Sequence, residues 1–344
     1  MTGQFHNPDV RQSVNQKLLT YYDFRIAPNS FDFVNYLAVA QQILHLSQTE
    51  KMDLELVCPL MRNATHIERN YEAGYNERKL YNVIIHALSL CPFVDSYVLN
   101  RSGEGMLDPK TYKYSFPASY TPQMYPPDFS SGMTLLPTNE RILTRLYNMS
   151  KKPPRVLLCT EKAKQLVRSS LGDREFVTLT LRRSPHNPSR NFPEEFDLLV
   201  VRTIASLTDK RVVVIPDQDA VFMNALDYLT REKAAETSIG MLGSMDLDLR
   251  LALYTLSYSN VVFATGPSSV VDYSENPYLL MGVLDESVHE LSSQIHARKG
   301  YDIGTQRPWA KSNQVVNWTP KAALLDTRTI QSILAQYFSN FSAG

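Results

Sequence analysis

The chain has few cysteines, no net charge and no long apolar run. Its three cysteines, Cys58, Cys91 and Cys159, lie far apart in or beside apolar runs. An odd number with no Cys-x-x-Cys pair leaves no disulfide framework and no cysteine zinc site, so buried reduced thiols in a cytoplasmic protein are expected. Lys+Arg and Asp+Glu are both 35, giving a net charge of zero. Without a basic surplus, neither nucleic acid nor an anionic membrane is an expected partner, although a local basic pocket is compatible with a neutral sum. No stretch approaches the roughly 18 apolar residues that span a bilayer, so no integral membrane segment is expected. The opening MTGQFHNPDVRQ lacks a basic region followed by an apolar one, so no secretory signal is expected and a cytoplasmic location is. There is no GxxxxGK[ST] phosphate loop, no GxGxxG turn, no HExxH and no GxSxG elbow, which disfavours the enzyme classes built on them.

What is present reads as a packed α/β protein. Hydrophobic residues make up 43% and charged residues 20% of 344 positions, enough for two domains with cores of their own. Strand candidates Phe24–Ala27, Leu54–Leu60 and Val94–Leu99 alternate with helix candidates Ser30–Leu46 and Asn76–Ser89. Residues 100–135, rich in Pro and Tyr, read as an ordered loop or inter-domain connection. Asn139–Asn148 reads as a helix and Lys151-Lys152-Pro153-Pro154 as the boundary. The alternation then restarts. Strands are expected at Phe176–Leu181, Arg211–Ile215 and Asn260–Ala264, with Tyr278–Met281 as the last. Helices are expected at Glu161–Ser169, Glu194–Ser206, Leu247–Ser257 and Asp326–Phe338. The expectation is two Rossmann-like domains, 1–150 and 151–325, facing a central cleft, with 326–344 as a terminal helix able to return to the first domain.

Several short stretches carry chemistry. The strand ending at Leu181 runs into Arg182, Arg183, Asn187, Arg190 and Asn191; guanidinium groups at the carboxyl end of a parallel strand suit phosphate or carboxylate, while pairing with surface acids is the competing role. Gly266-Pro267-Ser268-Ser269 ends a β-branched strand, where a glycine permits close approach and a following helix start offers N–H groups to a pyrophosphate; a plain strand-to-helix turn is the alternative. Asp217-Gln218-Asp219 and Asp246-Leu247-Asp248 have a spacing able to hold a divalent cation. Hydrogen bonding to a ribose, base or sugar hydroxyl and helix capping compete, and no metal is expected. Gln306 and Gln314, near Trp309 and Trp318, suit sugar or base recognition or plain packing. Asp32, just beyond the first strand, is a candidate general base, or else an acid complementing a helix N-terminus.

Leu179-Thr180-Leu181-Arg182-Arg183 is loosely similar to the His-x-Arg-Arg strand end of GT-B fucosyltransferases, where the arginine meets the donor's pyrophosphate; Thr180 stands in the histidine's place. More of the chain resembles a group of bacterial GT-B-like proteins found with surface-glycan genes. The resembling stretches are Ser30-Phe31-Asp32-Phe33, Leu179–Asn191, the Val-Ile-Pro-Asp strand end at 214–217, Gly266-Pro267 and Gln306-Arg307-Pro308-Trp309-Ala310 with Gln314. The resemblance implies transfer of a sugar from a nucleotide-sugar donor to a glycan or other acceptor, without metal or further cofactor. It implies Asp32 and Arg182 as catalytic residues. The donor would be held by Arg182, Arg183, Asn187, Arg190, Asn191, Asp217, Gly266, Pro267, Ser268, Ser269, Gln306 and Gln314. Two rivals stand beside it: a sugar-nucleotide epimerase or hydrolase on the same scaffold, and a non-catalytic nucleotide-sugar or carbohydrate-binding protein.

Overall fold

The computed structural model describes residues 15–24, 27, 29–58, 77–101, 107–116, 140–184, 188–222, 226–263 and 265–341. Two parallel sheets organise them. The first holds β1 (Asn15–Asp23), β2 (Met52–Val57), β3 (Val94–Asn100) and β4 (Tyr112–Phe116) in the order β3-β2-β1-β4. The second holds β5 (Phe176–Thr180), β6 (Arg211–Ile215), β7 (Ala235–Glu236), β8 (Ser259–Phe263), β9 (Tyr278–Leu284) and β10 (Gln314–Pro320) in the order β10-β9-β8-β5-β6-β7. All pairings are parallel, so the chain must cross over between them, largely through helices. In the second sheet the order reverses between β5 and β8, the place where a doubly wound sheet opens a crevice at its carboxyl edge. The segments that leave β5 and β8, carrying Arg182 and Gly266, therefore emerge side by side.

Local sequence accounts for these elements. Val212, Val213 and Val214 on β6 are fully buried, as a strand covered on both faces requires. Thr160 Oγ1 accepts the Ala163 N–H at 3.2 Å and starts the helix Glu161–Leu171, which Gly172 stops with φ +68°. Glu194, Glu195 and Asp197 complement the N-terminus of the helix Glu194–Thr208. One apolar cluster runs from Leu54, Leu56 and Phe33 in the first domain to Val262, Tyr278 and Leu280 on one face of the second sheet. A second cluster covers the other face, where Val177, Leu179 and Phe263 meet Phe196, Leu334 and Phe338.

Some expectations need correction. The first strand is not Phe24–Ala27 but Asn15–Asp23, paired with β2 from Leu18 onward; Phe24 is already in a turn, closed by the Ala27 N–H donating to Asp23 O at 2.7 Å. Tyr112–Phe116 is a strand at the sheet edge, where nearby prolines do no harm. Tyr278 does not begin the last strand: β10 follows, and Trp318 and Gln314 lie on it. The terminal helix Thr327–Phe341 packs on the helix Glu194–Thr208 of the second domain, and its Tyr337 hydroxyl meets Ser259 Oγ at 2.7 Å. The Lys151–Arg155 segment is clamped to the helix Asp32–Ser47. Gln41 exchanges bonds of 2.6 and 2.7 Å with the Arg155 backbone, and Gln42 Nε2 donates to Lys152 O at 3.0 Å.

Candidate active site

A cleft of about 610 Å³ lies between the domains, and residues of both line it. The first domain contributes Asn29 to Asp32 after β1, and Lys79, Asn82 and Val83. The second contributes Arg182, Ser184 and Arg190 after β5, Asp217 to Asp219 after β6, and Thr265 to Ser269 after β8. Of the expected site residues, the cleft thus gathers Asp32, Arg182, Arg190, Asp217, Gly266, Pro267, Ser268 and Ser269.

Others are engaged elsewhere. Leu181 continues the ladder by donating to Ile215 O at 3.3 Å, so the chain stays extended and consecutive side chains alternate. Arg182 faces the cleft; Arg183 turns away and is bound by Asp197, with its Nε also donating to the Tyr228 hydroxyl at 2.9 Å. Asn191 grips Ser184, donating to its carbonyl at 2.9 Å and accepting its N–H at 3.3 Å, and so shapes the loop instead of lining the cleft. Gln306 exchanges hydrogen bonds with the Val316 backbone at 2.9 and 2.6 Å. Gln314 is 2% exposed and donates to Ser274 O and Asn276 O, both at 3.0 Å. Both glutamines satisfy neighbouring backbone, and neither lines the cleft. Asn187 lies outside the described residues.

The Gly266 turn also differs from expectation. The Ser268 and Ser269 N–H groups donate within the turn, to Thr265 O at 3.1 Å and Gly266 O at 3.4 Å, and Ser268 Oγ donates to Thr265 O at 2.6 Å. They are not free for a pyrophosphate. A Cβ on Gly266 would sit 3.1 Å from Phe31 Cδ2, so the glycine makes room for the first domain.

Electrostatics single out the arginine side. Arg190 Nε and Thr265 Oγ1 are buried with no hydrogen-bond partner among the described residues. Burial first, then the charge of Arg182, brings the Arg190 guanidinium down to about 10, against the pull of Glu290, Asp217 and Asp32. An anion in the cleft would relieve both the lost solvation and the repulsion. Asp217 accepts the Arg183 N–H at 3.0 Å; burial raises its pKa while Arg182 and Lys79 pull it down. Burial lowers the Lys79 pKa, and Asp219 and Asp217 across the cleft oppose that shift. Asp32 begins the helix Asp32–Ser47, where Ser30 Oγ donates to its Oδ2 at 2.8 Å and accepts its N–H at 3.2 Å.

Sequence reasoning missed His296, Tyr301 and Lys299 and gave no role to Arg307, which stands inside a resembling stretch; all four also line the cleft. Arg307 Nε donates to Asp272 Oδ2 at 2.8 Å and its Nη1 lies 3.4 Å from Glu140 Oε1, with all three side chains buried. His296 is 7% exposed, and burial, then the Lys299 charge, brings its pKa down to about 4. The unfolded chain takes up that proton near 6.5, so between those values it binds more protons than the folded protein. The urea midpoint is therefore expected to fall as pH drops from 6.5 towards 4, and His296→Asn to flatten that slope. An unchanged slope would show that His296 is solvated.

The architecture is that of the GT-B glycosyltransferase fold: two Rossmann-like sheets with a cleft between them at their carboxyl edges. The glycosyl transferase family 9 structure from Veillonella parvula is similar over 94% of this chain and 90% of its own, with a TM-score of 0.51 and 9% identity. E. coli ADP-heptose LPS heptosyltransferase II aligns over 93% of this chain and 99% of its own, with a TM-score of 0.45 and 10% identity. No protein-family model and no curated protein matches the sequence. Among the described residues, no helix is long and apolar enough to cross a membrane.

Proposed function

We infer that this protein binds a nucleotide-activated sugar in the inter-domain cleft and transfers the sugar to a hydroxyl acceptor. The observation that carries the reading is the placement of Arg182 and Arg190 at the switch point of the second sheet, Arg190 with a buried Nε that has no hydrogen-bond partner among the described residues. Both solved structures described above are of glycosyltransferases, one of them named for ADP-heptose.

In the transfer, the acceptor oxygen forms a bond to the anomeric carbon as the bond from that carbon to the phosphate oxygen breaks. The electron pair leaves with the nucleotide, where Arg182 and Arg190 meet it as already oriented cations. Asp32 takes the acceptor's proton, held in place by the Ser30 hydroxyl. The charges needed are present without a metal, so transfer is expected to survive EDTA. The place of the missing fucosyltransferase histidine is not in the cleft: Thr180 is buried and its Oγ1 lies 2.8 Å from the Tyr254 hydroxyl. Cys58 and Cys91, both buried and in no disulfide among the described residues, suit a reducing compartment such as the cytoplasm.

Arg190→Ala is expected to weaken binding of the nucleoside diphosphate by about 2–3 kcal/mol, measured by calorimetry after a thermal-shift screen has found the base. Unchanged affinity would remove Arg190 from the phosphate site. Consumption of donor in the absence of any acceptor would favour the epimerase or hydrolase reading, and binding without turnover the non-catalytic one.

A further inference from the structure

The cleft also runs across the face of β9 and β10, where Gly282 and Trp318 line it. A Cβ on Gly282 would lie 2.5 Å from Trp318 Cε3, so the indole fills the space the glycine leaves. His296 on the helix Ser293–Arg298 stands edge-on to Trp318, with centroids 5.3 Å apart, and Tyr301 closes the group at 5.9 and 6.0 Å from the two rings. His296 is 7% exposed, yet neither of its ring nitrogens has a hydrogen-bond partner among the described residues. The Val283 carbonyl pulls weakly on the ring without reaching hydrogen-bond geometry. Trp318 Nε1 is likewise buried and unpartnered among the described residues. Buried polar atoms of native proteins are seldom left so, and these share one wall of a cleft.

Burial and nearby cations keep the imidazole uncharged. A neutral imidazole donates at one nitrogen and accepts at the other, and the indole adds a donor. A phosphate only accepts and leaves the accepting nitrogen unpaired. A hydroxyl both donates and accepts, and so matches the wall. The location fits as well. The Arg190 charge reaches His296 and the Asp32 charge reaches Tyr301, so the wall lies near both the phosphate clamp and the base. The geometry points to His296 and Trp318 as the residues that read the hydroxyl groups of the transferred sugar, an uncharged ring seated against the aromatic wall. This assignment rests on the glycosyl-transfer reading above.

The test compares loaded and bare nucleotides: UDP-glucose with UDP, GDP-mannose with GDP, and ADP-glucose with ADP, by calorimetry on the full chain. For whichever pair the wild type binds, His296→Phe and Trp318→Phe are each expected to weaken the sugar-bearing form about three- to tenfold and to leave the bare diphosphate unchanged. Equal losses for both forms, or none for either, overturn the assignment while leaving nucleotide binding intact. A wild type that binds none of the diphosphates defeats the parent reading and this one with it. Should the His296 variant not fold, nitrogen NMR of the wild-type imidazole decides the matter. Resonances that shift with the nucleotide sugar but not with its diphosphate support the assignment, and identical spectra overturn it.

Discussion

Asp32→Asn is expected to lower the rate of sugar transfer by about 10²–10⁴-fold while donor affinity stays within about twofold. Asparagine keeps the shape of the side chain and still accepts the Ser30 hydroxyl, but it cannot take a proton from an acceptor. Asp32 sits at the first turn of the helix Asp32–Ser47, so the neutral variant also gives up a favourable interaction with that helix N-terminus. That interaction is worth only about 0.3–1 kcal/mol at an exposed site. The two roles therefore separate. A structural role shows as a small fall in thermal midpoint with turnover preserved, a catalytic role as lost turnover with the midpoint nearly intact. Full activity in the asparagine variant would end the proposal that Asp32 is the base.

The largest expected effect on stability comes from Arg307→Ala, about 3–5 kcal/mol by denaturant titration. Arg307 lies between Asp272 and Glu140, with side-chain exposures of 9%, 5% and 5%. Removing it leaves two carboxyl groups buried without their cation. Glu140 already stands at about 7, raised by burial and held back chiefly by Arg307. An acid with a raised folded pKa favours the folded state while protonated and loses that advantage as pH rises through the raised value. The variant should therefore be least impaired below about pH 4.5 and lose ground towards neutrality, a trend that Glu140→Gln in the same background should abolish. An Arg307→Ala protein as stable as the wild type at pH 7 would mean that water reaches the triad.

The fold was legible wherever burial leaves a continuous apolar run. Arg211–Ile215 reads as a strand at the bounds it has, because three buried valines leave little else for it to be. β10 was missed because Gln314-Val315-Val316-Asn317-Trp318 mixes amides with apolar residues, and the Gln314 amide is spent on loop backbone that no local pattern shows. In the site, Arg182 was legible and its neighbour misleading: extended chain sends adjacent side chains to opposite faces, and only the fold says which face is the cleft. Gln306 and Gln314 suggested sugar recognition by residue type alone, whereas their partners are carbonyl and N–H groups up to 40 residues away. His296 gave no signal at all, being one of seven scattered histidines until the fold sets it against Trp318.

The apolar cluster that begins under the first sheet and ends on β9 has a consequence for how the molecule is made. One of its two apolar clusters is shared between the lobes: cutting the backbone near Lys152 would divide a single cluster, with Phe33 and Leu37 on one fragment and Tyr278 and Leu280 on the other. That shared layer is complete only after both halves have left the ribosome, so its first-lobe share is expected to stay as exposed apolar surface until the second half arrives.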